Sequence, residues 1–281
     1  MTRKPAVAGA FYPGTRTELE KTIDFLLSSV DKKGLERLDF SKALAFVAPH
    51  AGYVYSGYVA AYTYYALSEA AKKRKIDTIA VIGPNHMGLG DFANVSLEDW
   101  ETPLGIAKND VELAKELCKE EPRFSTDSSE IKEEHSVEVQ VPFIQRLLGH
   151  CRLLFICMAD QSEEASKAVA EALIKASGKL GREVIVVASS DFDHYEPASV
   201  AESKDMPAIK ALEKLDVGLF NRLLAEADDT ACGYGAISAA AFFAKAKGAD
   251  KGVLLKYGNS GNMTNDYSSV VAYASIAFMK Q

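Results

Sequence analysis

The sequence predicts a single-domain α/β sandwich, with helices flanking a mostly parallel central sheet, and three observations carry that prediction. Four short runs are almost continuously apolar: "ALAFVA" (43–48), "TIAVIG" (78–83), "RLLFICM" (152–158) and "EVIVVAS" (183–189). A strand covered on both faces reads this way, because neither face has to meet water. Helix-like segments separate these runs, which is the alternation of a parallel sheet with crossover helices. No internal repeat, low-complexity tract or linker rich in Pro, Gly or Ser divides residues 1–281, so one domain is expected to span them.

Taken in order, the first strand at 43–48 leads into a helix expected over about 57–71, and the strand at 78–83 is followed by a further strand in "FANVSLE" (92–98). Helices are expected at about 109–120, 135–148 and 162–178, around the strands at 152–158 and 183–189. Two more, at about 206–226 and 234–247, precede closing strands in "GVLLKYG" (252–258) and "SVVAYASIAF" (269–278).

Composition narrows the function classes. Hydrophobic residues make up 48% and charged residues 25%, which suits an ordinary core-forming protein. The net charge of −7 argues against a nucleic-acid partner, and the richest basic run, "KKRK" (72–75), reads as a solvated helix end. No apolar run reaches the ~18 residues of a membrane span. The opening "MTRKPAVAGAFYPG" is too broken by Pro and Gly for a signal peptide, so a cytoplasmic, non-membrane protein is expected. The four cysteines lack close pairing and read as free thiols.

Open parallel sheets bind ligands beyond the carboxyl ends of their strands. Three of the five histidines fall there: His50 in "PHAGY", His86 in "PNHMG" and His194 in "SDFDHY". Pro49 and Gly52 shape a turn that can aim His50 into such a crevice, although each histidine alone also fits a turn held by backbone hydrogen bonds. Neutral imidazole is a common ligand for iron, zinc and copper. In "SSDFDHY", Asp191 can orient His194 for acid–base work, against the alternative of polar residues capping a helix. "EEHSVEVQVPF" (133–143) puts His135 at a helix start, where free N–H groups can take an anion or Glu133 or Glu134 can cap the dipole. "TACGYGAI" (230–237) sets Cys232 before a helix, a setting expected to lower a thiol pKa for a metal ligand or a nucleophile, or else a small residue packed in a tight turn.

These blocks, with "KPAVAGAFYPG" (4–14), "APHAGYVYSG" (48–57), "TPLG" (102–105) and "DYSSVVAYAS" (266–275), together resemble the Memo family, whose fold is related to the class III extradiol dioxygenases. The resemblance implies metal ligands His50, His86 and Cys232, with Asp191 and His194 nearby and His135 lining the pocket. A thiolate there replaces the carboxylate of the dioxygenases and favours iron(II) or copper, with zinc a further option. Two departures stand out. Met87 follows His86 where many members pair histidines, and Asp193 precedes His194 where the animal proteins carry an uncharged residue. The added carboxylate is expected to make the rim more acidic and repel the phosphotyrosine peptide that the animal proteins bind. Three functions follow: a non-haem metal redox enzyme of dioxygenase-like type, a non-catalytic protein binding a peptide or small molecule, and a cysteine hydrolase with Cys232 as nucleophile and His194 or His50 as base.

Overall fold

The computed structural model describes residues 2–281. Its strands are β1 (Thr2–Arg3), β2 (Ala43–Ala48), β3 (Thr78–Pro84), β4 (Ala93–Val95), β5 (Asp99–Thr102), β6 (Gly105–Ala107), β7 (Phe124–Ser125), β8 (Arg152–Met158), β9 (Val184–Ser189), β10 (His194–Glu196), β11 (Lys251–Asn259) and β12 (Val270–Met279). Its helices are α1 (Arg16–Ser28), α2 (Tyr53–Lys73), α3 (Val111–Glu120), α4 (Val141–Leu148), α5 (Glu163–Leu180), α6 (Ala198–Glu213), α7 (Val217–Ala227), α8 (Tyr234–Ala246) and α9 (Gly261–Thr264).

The four apolar runs become the middle of one sheet. β2, β9, β3 and β8 lie side by side and parallel, and β2, β3 and β9 are buried along their whole length. Antiparallel partners close both sides, β12 against β2 and β4 against β8. Two apolar layers cover the sheet. Side chains of α3, α5, α6, α7 and α8 pack on one face, and those of α1, α2 and α4 on the other. Among the described residues no helix is long and apolar enough to cross a membrane.

Several segments depart from the expected boundaries. α2 begins at Tyr53, because the turn at Gly52 hands its chain straight into the helix and the Tyr53 N–H donates to Phe11 O (2.7 Å). The stretch expected as one helix over 135–148 starts as a turn and a 3-10 segment (Glu138–Gln140), and only then becomes α4, with Pro142 in its first turn. The stretch at 206–226 is two helices, α6 extending back to Ala198 and α7 starting afresh where Asp216 caps Leu219 N (3.0 Å). The strand in 92–98 shortens to Ala93–Val95, and α1 had no counterpart in the sequence reading.

This topology places the site. β9 runs between β2 and β3, so the loops after β2 and β3 emerge on either side of the loop after β9. Ala48 pairs with Ser189 and Ile82 with Ala188, which puts these strand ends level. His50, His86 and Asp191 therefore arise from three adjacent loops at one end of the sheet.

Candidate metal centre

One nitrogen each from His50 and His86 and the sulfur of Cys232 lie within 4.8 Å of one another. The Cys232 Sγ to His50 Nε2 separation is 3.2 Å. Two ligands sharing one ion, at the usual ~2.0–2.1 Å for nitrogen and ~2.3 Å for sulfur, stand about 3.2–3.6 Å apart for ligand angles near 95–110°. The His–Cys pair fits a common ion.

Hydrogen bonds fix which imidazole nitrogen faces that point. Ser189 Oγ donates its single hydrogen to the Ser136 carbonyl (2.6 Å) and accepts from Gln140 Nε2 (2.7 Å). Toward His50 it can therefore only accept, so the contact at 3.0 Å carries the proton on Nδ1 and leaves the Nε2 lone pair toward Cys232. Gln140 is itself held by the Tyr64 hydroxyl and the Pro49 carbonyl. His86 is treated the same way by a carboxylate: Nδ1 donates to Glu134 Oε1 (3.0 Å) and the His86 backbone N–H to Oε2 (2.5 Å). Imidazoles that hold metals are oriented by such partners on the far nitrogen.

Glu134 is wholly buried, and its Oε1 also accepts the N–H groups of His135 (2.8 Å) and Ser136 (2.7 Å). Burial alone would raise its pKa, but the His86 hydrogen bond, the neighbouring His86 and His135 rings and the Ser136 N–H hold it down to about 2. The anion expected at the start of the 135–148 segment is thus Glu134's own carboxylate. His86, Glu134 and His135 also bring one ligand atom each within 4.8 Å, but protein donors already occupy the carboxylate.

His135 lies where expected, its ring stacked on His86 (4.6 Å between centroids, 17°), edge-on to His50 (5.5 Å) and against Phe11 (4.8 Å). His50 is 2% exposed, whereas the His86 side chain keeps 32% and His135 23%, so the cluster opens to solvent on the His86 side. Burial, followed by the charges of His86 and His135, pushes the His50 imidazolium well below its ordinary pKa; burial also lowers that of His135.

Cys232 reverses one expectation. Its sulfur packs against His50 and Asp191, and desolvation followed by the Asp191 charge pushes the thiol well up, where the sequence context suggested a lowered value. The loop is built to hold it: Gln161 Nε2 donates to Cys232 O (2.8 Å) while Gln161 Oε1 accepts from Gly235 N (3.0 Å). A Cβ at Gly233 would stand 2.4 Å from Ser189 O, so only glycine lets this loop lie against the end of β9.

Neither Asp191 nor Asp193 takes its expected role. Asp191 Oδ1 accepts from the N–H groups of His50 (2.8 Å) and Ala51 (3.3 Å), and Oδ2 is 4.0 Å from His50 Nε2; it holds the His50 turn, with no hydrogen bond to His194. Burial raises its pKa to about 7. His194 instead meets Thr230, whose Oγ1 accepts its backbone N–H (2.8 Å), lies 3.5 Å from its Nδ1 and donates to Asp193 Oδ1 (3.1 Å). Burial lowers the His194 pKa. Asp193 is fully buried and paired with Lys204 (3.5 Å), so it does not acidify the rim, and the repulsion of phosphate expected from it loses its basis. The sequence reading missed Glu134 as a partner of His86, and also Ser189, Gln140, Gln161 and Thr230, whose common polar side chains carry no motif; only the adjacency of Glu134 to His135 could have marked one of them.

A family model described as Memo-like protein matches residues 3–277. The chain belongs to the Memo family. A MEMO1 family protein of Nitrosopumilus maritimus is 40% identical over 281 residues, covering 99% of this chain and 100% of that one. One from Methanosarcina barkeri is 42% identical over 280 residues, 98% of each chain, and one from Methanopyrus kandleri is 39% identical over 285 residues, 100% of each. The crystal structure of an uncharacterized protein from Escherichia coli K12 aligns with a TM-score of 0.46 at 11% identity, over 84% of this chain and 100% of that one.

Proposed function

We propose that this Memo family member binds one metal ion per chain through His50 Nε2, His86 Nε2 and Cys232 Sγ, and that it is a redox protein acting on a small molecule. Iron(II) is the first choice of metal and copper or zinc the alternatives, because two imidazoles and a thiolate suit all three. The observation that carries the reading is the control of both imidazoles from behind: Ser189 and Glu134 each commit one Nδ1–H, so both Nε2 lone pairs are left for a shared ion. Three protein ligands leave positions open on the exposed His86 side, as a reacting centre needs. A bound iron or copper ion would supply one-electron chemistry there. The protein's own groups then divide the remaining work: His194, with its Nδ1 turned toward Thr230, presents Nε2 as acid or base; Asp191 fixes the His50 turn; His135 forms the wall beside His86.

The Cys232–His50 contact also resembles the nucleophile–base pair of a cysteine hydrolase. Against that reading, burial and Asp191 raise the thiol pKa, whereas a nucleophilic cysteine needs it lowered; a thiol that ionises only when a cation meets it is what a ligand requires.

Loading metal-free protein with Co2+ tests the site, since a thiolate ligand gives a charge-transfer absorption. That band should appear in the wild type and vanish in Cys232→Ser; a band that persists in the variant contradicts the ligand set. Oxygen consumption by the iron-loaded protein across a panel of reductants then separates a redox enzyme from a protein that only binds a peptide or small molecule at the same place.

A further inference from the structure

Next to the metal cluster, and sharing none of its ligands, lies a cavity of about 350 Å³ walled by Ala51, Tyr55, Tyr195, Val271 and Tyr273, with Asp266 at its edge. Ala51 follows His50 and Tyr195 follows His194, so this cavity adjoins the crevice. Two of its aromatic side chains are bare, Tyr195 at 78% exposure and Tyr55 at 45%, while Tyr273 is buried at 1%. Tyr195 is also the extra residue of a bulge, since β10 pairs with β12 through His194–Val271 and Glu196–Val270, and its φ is +65°. A bulky side chain in left-handed backbone is costly, and bulges beside sites re-aim side chains. Here the bulge, held by Ser269 Oγ donating to Tyr195 O (3.2 Å), keeps a large phenol ring over the cavity instead of burying it.

The lining combines two exposed phenol rings and one exposed carboxylate with no Lys, Arg or His. Asp266 is held ionised, below its ordinary pKa, by the N–H and hydroxyl of Ser268, both of which engage Oδ1. Aromatic faces carry negative charge, and with a carboxylate they attract a soft organic cation more than a neutral group of the same shape. We infer that this cavity is a binding site for an alkylated ammonium group. The inference goes beyond the metal reading and does not depend on it, because Tyr55, Tyr195, Tyr273 and Asp266 are not metal ligands.

The test compares choline with its uncharged isostere 3,3-dimethylbutan-1-ol by calorimetry and by NMR of the whole protein, both metal-free and metal-loaded. Choline should bind saturably in both forms and about three- to fivefold tighter than the alcohol, as expected for a cation on exposed aromatic faces. Asp266→Asn and Tyr195→Leu should each weaken choline about twofold or more, while Phe25→Ala, an exposed aromatic in α1, leaves it unchanged. Equal affinity for the two compounds, no saturable choline binding, or full choline affinity in Asp266→Asn would overturn the inference. Choline binding that survives in His50→Ala, a variant expected to lose metal, keeps this result separate from the fate of the metal site.

Discussion

At His50 one hydrogen decides which nitrogen meets the ligand set, and that hydrogen is fixed by Ser189, whose own proton is already given to Ser136 O. The same logic at His86 rests on a buried carboxylate that accepts three backbone N–H groups as well as the ring. Glu134→Gln should therefore weaken metal binding by about 10–100-fold, the usual effect of losing such a partner, and lower the unfolding free energy by about 1–3 kcal/mol, since a carboxamide cannot accept from all of these donors. A metal titration and a denaturant melt check the two effects. At His194, Thr230→Val removes the acceptor facing Nδ1 and should shift the ring toward the other tautomer in 15N NMR, whereas Thr230→Ser should not. An unchanged tautomer in the valine variant would show that Thr230 does not set it. The three proposed ligands were nameable from the sequence because His50 and His86 follow strands, Cys232 precedes a helix and the motifs around all three resemble one family; their supports were not, because a serine, a threonine or a glutamine gains its role only when distant chain meets it.

Among the elements, the N-terminal strand and the segment between β7 and α4 are one unit. Arg3 donates to Glu138 (2.6 Å), Glu134 O (2.5 Å) and Ile131 O (3.2 Å), and its guanidinium lies 4.0 Å from the centre of the Trp100 ring. Glu138 also accepts the N–H groups of Ala6 (2.8 Å) and Val7 (3.0 Å) and the Tyr12 hydroxyl (2.6 Å). Both side chains of the ion pair are almost entirely buried, at 5% and 1% exposure. Arg3→Met leaves a buried carboxylate without its cation and should cost about 3–5 kcal/mol, while the Arg3→Met, Glu138→Gln double variant should recover part of that loss. A double variant that is no more stable than the single one would argue against charge as the cause. A separate contact explains why the expected helix over 135–148 starts late: Ser136 Oγ donates to Pro84 O (2.8 Å) and lies against Gly83, so tertiary contacts hold Ser136–Val137 as a turn over β3. The central strands were legible because their apolar runs need no partner to be recognised; the short strands β1, β5, β6, β7 and β10 had no such run and were not. Helix starts governed by such long-range contacts, and the break between α6 and α7, were not.

Across the whole molecule, buried acids outside the metal cluster set a pH response. Burial, and then the Asp229 carboxylate, raise Asp205 to about 9, where Asp193, Lys204 and Tyr257 also gather. In the unfolded chain an aspartate titrates near ~3.9. The proton is held more tightly in the folded state, so the stability this group contributes is complete below about pH 4 and is lost as pH rises toward about 9. Asp205→Asn keeps a neutral group throughout, and its Tm relative to the wild type should climb between pH 5 and pH 9; a constant difference would exclude the titration of Asp205. The fold itself followed from the alternation of apolar runs and helices, with the central strands parallel as expected and only the flanking pairings antiparallel. The proposed function rests on the His50, His86 and Cys232 cluster, and elemental analysis of protein purified without oxygen tests it most directly. About one metal ion per chain in the wild type, falling to background in both His50→Ala, His86→Ala and Cys232→Ser, is the predicted result; metal retained at full stoichiometry in the double histidine variant would contradict it.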